Sequence, residues 1–155
     1  GRVANLVNDS NAQNGNASTG VLAACNTATV PEWTPEMAVL WQNWKDHLFY
    51  AVAWDFRPDA PPATVCTSCL TVNGAGAWAG VVMFAGTRLA ALGQARDEPP
   101  MDADARGSIG NYLEGRNAAN HPNVAGTGDY ESGAATATFN DILYCIDANL
   151  SVTAC

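Results

Sequence analysis

Positive charge is what this chain most lacks. Its 155 residues hold seven Lys and Arg against fifteen Asp and Glu, a net charge of −8, and Lys45 is the single lysine. Binding a nucleic-acid backbone requires clustered cations that displace counterions from phosphates. Here the basic residues stand singly, so nucleic acid is excluded as a partner. The acidic balance suits a secreted domain that stays soluble and repels anionic surfaces. Long apolar runs are missing too. No stretch approaches the roughly 20 residues of a membrane span, and no basic start followed by an apolar middle marks an export signal. The chain opens Gly1-Arg2 without methionine, which gives the expectation that a targeting or anchoring segment has been removed upstream.

Signatures of catalysis are equally sparse. Cys66-Thr67-Ser68-Cys69 has redox spacing, but a reactive pair places its first thiol at a helix N-terminus, where backbone dipoles favour the thiolate. This pair runs instead into the β-like Leu70-Thr71-Val72, so a structural disulfide in a loop is the preferred reading. Zinc would need a second such pair or paired histidines, and His47 and His121 stand alone. Asp102-Ala103-Asp104-Ala105-Arg106-Gly107 imitates the start of a calcium loop, yet Arg106 puts a cation at the fifth position and Leu113 replaces the twelfth-position glutamate. A looser calcium site in the acidic 97–104 loop stays open as the one cofactor, beside the reading of a merely solvated loop. Gly74-Ala75-Gly76-Ala77-Trp78-Ala79 matches a dinucleotide fingerprint loosely, but a strand and not a helix follows it. No nucleophile elbow occurs, and Ser108 and Ser132 read as a cap and a turn. Glu114, with Arg116 two positions on, reads as a structural ion-pair or capping residue. The expectation is a protein that is not an enzyme and that has no catalytic, metal or cofactor-binding residues.

What the chain does contain is short, dense apolar segments between turn-rich loops. Leu48 to Trp54, Cys69 to Val72, Ala79 to Ala85 and Phe139 to Ile146 have strand length and composition. Asn73-Gly74 between the second and third supplies hairpin-turn chemistry, because both residues tolerate positive φ. Ser108 can cap a helix running to about Glu114 and ended by Gly115. Thr34-Pro35-Glu36 resembles another helix start, within a segment carrying Trp33, Trp41 and Trp44. These elements predict a single α+β domain over 1–155, with a mainly antiparallel sheet of about four strands. Residues 1–30 read as a loop or the remnant of a helix, 31–147 as the sheet-containing core and 148–155 as a tail. The visible helices are too small to cover a sheet face, so a long N-terminal helix is expected in the parent protein.

Five cysteines, Cys25, Cys66, Cys69, Cys145 and Cys155, point to an oxidising compartment and allow at most two bridges within the chain. A Cys145–Cys155 bridge would tie a fraying end to a strand. The partner of Cys25 is not fixed by the sequence.

Several short motifs occur in a telling order. Trp44-Lys45-Asp46-His47 leads into the aromatic strand, and the cysteine pair precedes the apolar Val81-Val82-Met83-Phe84. Gln94-Ala95-Arg96, Asn111-Tyr112-Leu113-Glu114-Gly115 and Phe139-Asn140-Asp141 follow. This order, over residues 44–146, resembles the soluble part of type IV pilin-like and type II secretion pseudopilin-like proteins. The resemblance implies structural roles for Trp44, Gln94, Arg96, Tyr112, Glu114, Phe139, Asn140 and Asp141. It also implies a C-terminal disulfide loop from Cys145 to Cys155. The implied function is assembly of a minor pilin or pseudopilin into a filament with other such subunits. The inner membrane would be engaged through the missing helix, and the location would be the periplasm or cell surface. Two rival classes stand beside it: a secreted or periplasmic binding or adhesion module with aromatic residues Trp33, Trp41 and Trp54, and a small thiol-disulfide enzyme using Cys66 and Cys69.

Overall fold

The computed structural model describes residues 44–57, 65–96, 108–123 and 125–155. Expectations for the N-terminal helix remnant, the Thr34 cap, Trp33, Trp41, Cys25 and the 97–104 loop lie outside these residues. The backbone separates into two compact units, residues 1–49 and 50–155. The architecture is α+β, with seven strands in two mostly antiparallel sheets and little helix among the described residues.

A four-stranded sheet has the order β1-β4-β6-β7, with β1 at Leu48–Val52, β4 at Gly80–Phe84, β6 at Ile142–Ile146 and β7 at Val152–Ala154. Its sequence alternation becomes two faces, because successive side chains in a strand point to opposite sides. Val81 pairs with Cys145 and Met83 with Leu143, all four buried. On the opposite face Val82 pairs with Tyr144 and Phe84 with Ile142. Here Ile142 is 53% and Tyr144 48% exposed. Further along that face Ile146 pairs with Val152, which is also exposed. The sheet is therefore apolar on both sides.

A three-stranded sheet has the order β3-β2-β5, with β2 at Leu70–Val72, β3 at Ala75–Trp78 and β5 at Gly128–Tyr130. Asn73 (φ 54°) and Gly74 (φ 72°) form the tight turn between β2 and β3, the positive-φ pair that suits a two-residue hairpin. The turn expected here is present, but it leads into β3, and the next strand belongs to the other sheet. β5 lies parallel to β2 and brings the fully buried Tyr130 alongside it. Parallel neighbours need a long crossover, and here residues 73–127 intervene. Three strands thus exceed the four expected: β3, β5 and β7 are short, polar or exposed and carry no clear period-two signal.

Two further expectations are corrected. Phe139-Asn140-Asp141 precede β6 and are not part of it. The Asn140 amide and side chain and the Asp141 carboxyl are committed to partners elsewhere in the chain. The helix expected to end at Gly115 instead begins there. A 3-10 turn spans Ile109–Asn111, and α1 covers Gly115–Ala119. Gly115 has φ +49° and separates the two. Ser108 precedes the 3-10 turn with no side-chain capping bond.

Disulfides join Cys66 to Cys69 and Cys145 to Cys155. The second ties fully buried Cys145 on β6 to the residue after β7. Between them Asp147 Oδ1 accepts from the Asn149 and Ser151 amides and shapes the β6–β7 turn. Closing a loop in this way reduces the freedom of the unfolded chain, and longer loops gain more. Replacing Cys155 by Ala should lower unfolding free energy by about 2–3 kcal/mol, read by urea denaturation. The Cys66→Ala/Cys69→Ala double variant should lose less, because its loop is shorter.

Candidate functional site

The most concentrated polar chemistry in the described residues lies inside the fold. Gln94, Glu114, Asn117 and Asp141 are all buried, with Glu114 2% and Asp141 3% exposed. Buried polar groups cost stability unless they are hydrogen-bonded, and these four are bonded to one another and to nearby backbone. Glu114 Oε1 accepts from Gln94 Nε2 at 2.7 Å, and Oε2 accepts from the Asn140 amide at 3.1 Å. Asp141 Oδ2 accepts from the Glu114 amide at 3.0 Å and from Asn117 Nδ2 at 2.9 Å. Asn117 also brackets Glu131, donating to its carbonyl and accepting from its amide. Gln94 Oε1 accepts from the Leu89 amide and from the Arg96 guanidinium, each at 2.7 Å. Arg96 further donates to the Gly86 carbonyl and lies over the Tyr112 ring.

Local sequence explains how each group arrives. Glu114 is the extended residue just before α1, so its side chain leaves the helix axis and enters the core without capping α1. Asn117 lies one turn further on the same side. Gly86 makes room for the Asn140 segment: a Cβ at this position would sit 2.5 Å from the Asn140 carbonyl oxygen. Asn140 Nδ2 then anchors to the Thr87 carbonyl at 2.7 Å. The ion pair read between Glu114 and Arg116 does not form. Arg116 pairs with Asp129 and lies 3.8 Å from Glu131.

Electrostatics separate the carboxyls. Burial, together with the adjacent Glu114 carboxyl, pushes Asp141 up to about 7 against the pull of its hydrogen bonds from Asn117 and the Glu114 amide. The Gly74 amide, Thr71 and Arg116 hold Asp129 below its ordinary value. Asp55 is lowered by the Ser68 amide and by Thr67, whose amide and hydroxyl both donate to it. Asp55 thereby fixes the Cys66–Cys69 loop. The next element after that loop is strand β2, not a helix, so the geometry that activates a redox thiol is not built there.

Of the residues singled out in the sequence, Gln94, Arg96, Tyr112, Glu114, Asn140 and Asp141 converge on this cluster. Phe139 is buried beside it in sequence. Trp44 belongs to the other compact unit and is 40% exposed. Sequence reasoning missed Asn117, fully buried and bonded to two segments. Its only signal is a position three residues after Glu114, one helical turn along a helix that the sequence did not place. It also missed Asp55 and Gly86, which act through backbone contacts.

The cluster can join chain segments and hold a proton. No group of three potential ligands that could hold a metal ion occurs among the described residues, and none of their helices is long and apolar enough to cross a membrane. No family model, curated protein or solved structure matches the chain.

Removing Asn117 takes three hydrogen bonds from a buried site. Asn117→Ala should therefore cost about 2–4 kcal/mol of unfolding free energy, whereas Asn120→Ala, half-buried and donating only to the Arg116 and Asp129 carbonyls, should cost less, about 1 kcal/mol. Equilibrium denaturation of both variants checks the contrast.

Proposed function

We propose that this chain is the globular domain of a type IV pilin-like or type II secretion pseudopilin-like subunit, whose work is assembly with other subunits. The observation that carries the reading is the second apolar face of the four-stranded sheet, where Ile142, Tyr144 and Val152 are exposed beside Val82 and Phe84. Burying apolar area contributes roughly 25 cal/mol per Å², so a β-layer apolar on both sides is suited to packing on a further element. In this reading that element is the helical spine of a filament, supplied by an N-terminal helix preceding Gly1. Before assembly the helix would hold the subunit in the inner membrane, with the domain in the periplasm or at the cell surface. The ordered motifs from Trp44 to Asp141 support the same assignment. Gln94, Arg96, Tyr112, Glu114, Asn140 and Asp141 then serve as the internal brace of the subunit, leaving loops and surface charge to make contacts.

Two measurements test it. The encoding gene should place a short leader and an apolar helix of about 20 residues upstream of Gly1. An Ile142→Asp/Tyr144→Asp double variant should keep its fold, since both side chains are exposed, yet be lost from the sheared filament fraction of producing cells. An ordinary export signal directly before Gly1, or undiminished recovery of the double variant in filaments, would sink the proposal.

One observation favours a second reading, a secreted binding or adhesion module. Trp54 is 52% exposed, with the Arg57 guanidinium 4.7 Å from its ring centroid. Aromatic rings with an open face bind sugars and cations through their π-surfaces. Under this reading, oligosaccharides should change the tryptophan fluorescence, and Trp54→Ala should remove the response.

A further inference from the structure

We propose that Asp141 holds a proton in the folded protein and acts as a latch, keeping the 109–119 segment on the start of β6 while the proton is present and releasing it when the proton leaves. The inference is independent of the filament reading.

The geometry fixes where the proton sits. Both Glu114 oxygens already accept N–H donors, from Gln94 and from the Asn140 amide. Asp141 Oδ2 accepts two more, from the Glu114 amide and Asn117. Asp141 Oδ1 is buried with no hydrogen-bond partner, and the Glu114 carboxyl is one of the groups that push Asp141 up. A buried carboxyl with an unsatisfied oxygen is disfavoured as an anion, so Asp141 keeps its proton. Oδ1 is the vacant position for it, because Oδ2 already accepts two N–H donors. The bonds from Asp141 to the Glu114 amide and to Asn117 are the ones that attach the 109–119 segment to the residues before β6.

The surrounding charges do not replace this proton. Arg96 donates to Gln94 Oε1 and the Gly86 carbonyl. Arg116 is engaged by Asp129 and Glu131, and Glu131 meets the cluster through its backbone bonds to Asn117. Losing the proton therefore leaves a buried anion at Asp141, and opening the latch to water is the route that relieves it.

The direction with pH follows from linkage. An unfolded Asp141 loses its proton near 3.8 and the folded one at about 7. Across that interval the folded state binds more protons, so stability falls as pH rises. Below the interval the full contribution is present, and above it no more is lost.

The test uses the whole chain and its Asp141→Asn and Glu114→Gln variants. Asn at 141 keeps the acceptor for the Glu114 amide and Asn117 and places a permanent N–H donor at the Oδ1 position, imitating the protonated acid. Gln at 114 puts a donor where Gln94 Nε2 or the Asn140 amide already donates. In the native protein, the exchange protection of the Glu114 amide should fall by about tenfold or more between pH 5.5 and 8.5, after correction for intrinsic exchange. Asp141→Asn should abolish that fall and melt at a higher temperature than the native chain at pH 8.5. Glu114→Gln should be less protected at both pH values. A native chain with constant protection, an Asp141→Asn variant that keeps the pH dependence, or a Glu114→Gln variant that behaves like Asp141→Asn would each overturn the latch. Carboxyl-carbon NMR of the native protein reads the same point without mutation. Asp141 should titrate near neutral pH, and titration below pH 5 would overturn the proposal.

Discussion

Two acids buried against each other can persist only if nearly every lone pair around them meets a hydrogen. That requirement organises the larger compact unit. It recruits Gln94 from the segment after β4, Asn117 from α1 and the Asn140 amide from the approach to β6. It also accounts for the chain path at Gly86, where a side chain would collide with the Asn140 carbonyl. Apolar burial fills the rest, with Tyr112, Leu113, Met83 and Leu143 all inside. Hydrophobic packing is tolerant of exchange between similar shapes, whereas a buried polar network must be complete to be tolerable. Specificity in the irregular segments therefore rests on the polar cluster, and specificity in the sheets on alternation and register.

How far the sequence could be read follows from the same distinction. β1, β4 and β6 are apolar enough to be located as strands, and Asn73-Gly74 announces its turn by chemistry that few other residue pairs allow. β3, β5 and β7 were not legible. Ala75 to Trp78 is mostly exposed with three of its four residues glycine or alanine, and Gly128 to Tyr130 derives its place from pairing with β2. The helix was misplaced because Gly115 looks like a terminator, while its positive φ serves here to separate a 3-10 turn from α1. The polar cluster was visible as motifs and not as a site. Gln94, Arg96, Tyr112, Glu114, Asn140 and Asp141 were each marked, but nothing in linear spacing says that segments so far apart meet. The structural role read for Glu114 is filled by other partners: proximity to Arg116 in the chain suggested an ion pair or a cap, and burial directs the carboxyl to Gln94 and the Asn140 amide.

The two faces of the four-stranded sheet divide stability from association. Val81, Met83, Leu143 and Cys145 hold the inner face, and truncating them would open cavities. Ile142, Tyr144 and Val152 contribute little to the isolated domain because water still reaches them. Large exposed apolar side chains grouped on one face are a common mark of association surfaces, and here they sit on strands held rigid by pairing and by the Cys145–Cys155 bridge. A rigid apolar face loses little side-chain and backbone freedom when it is covered.

Both sheets take strands from opposite ends of the described chain: β2 waits for β5, and β4 waits for β6. Neither layer can close on a ribosome-bound nascent chain until its last third has emerged. Each sheet is thus completed late, with β2 and β4 edges unpaired in the interval. Any cell that makes the domain has to keep those edges apart until the C-terminal strands arrive.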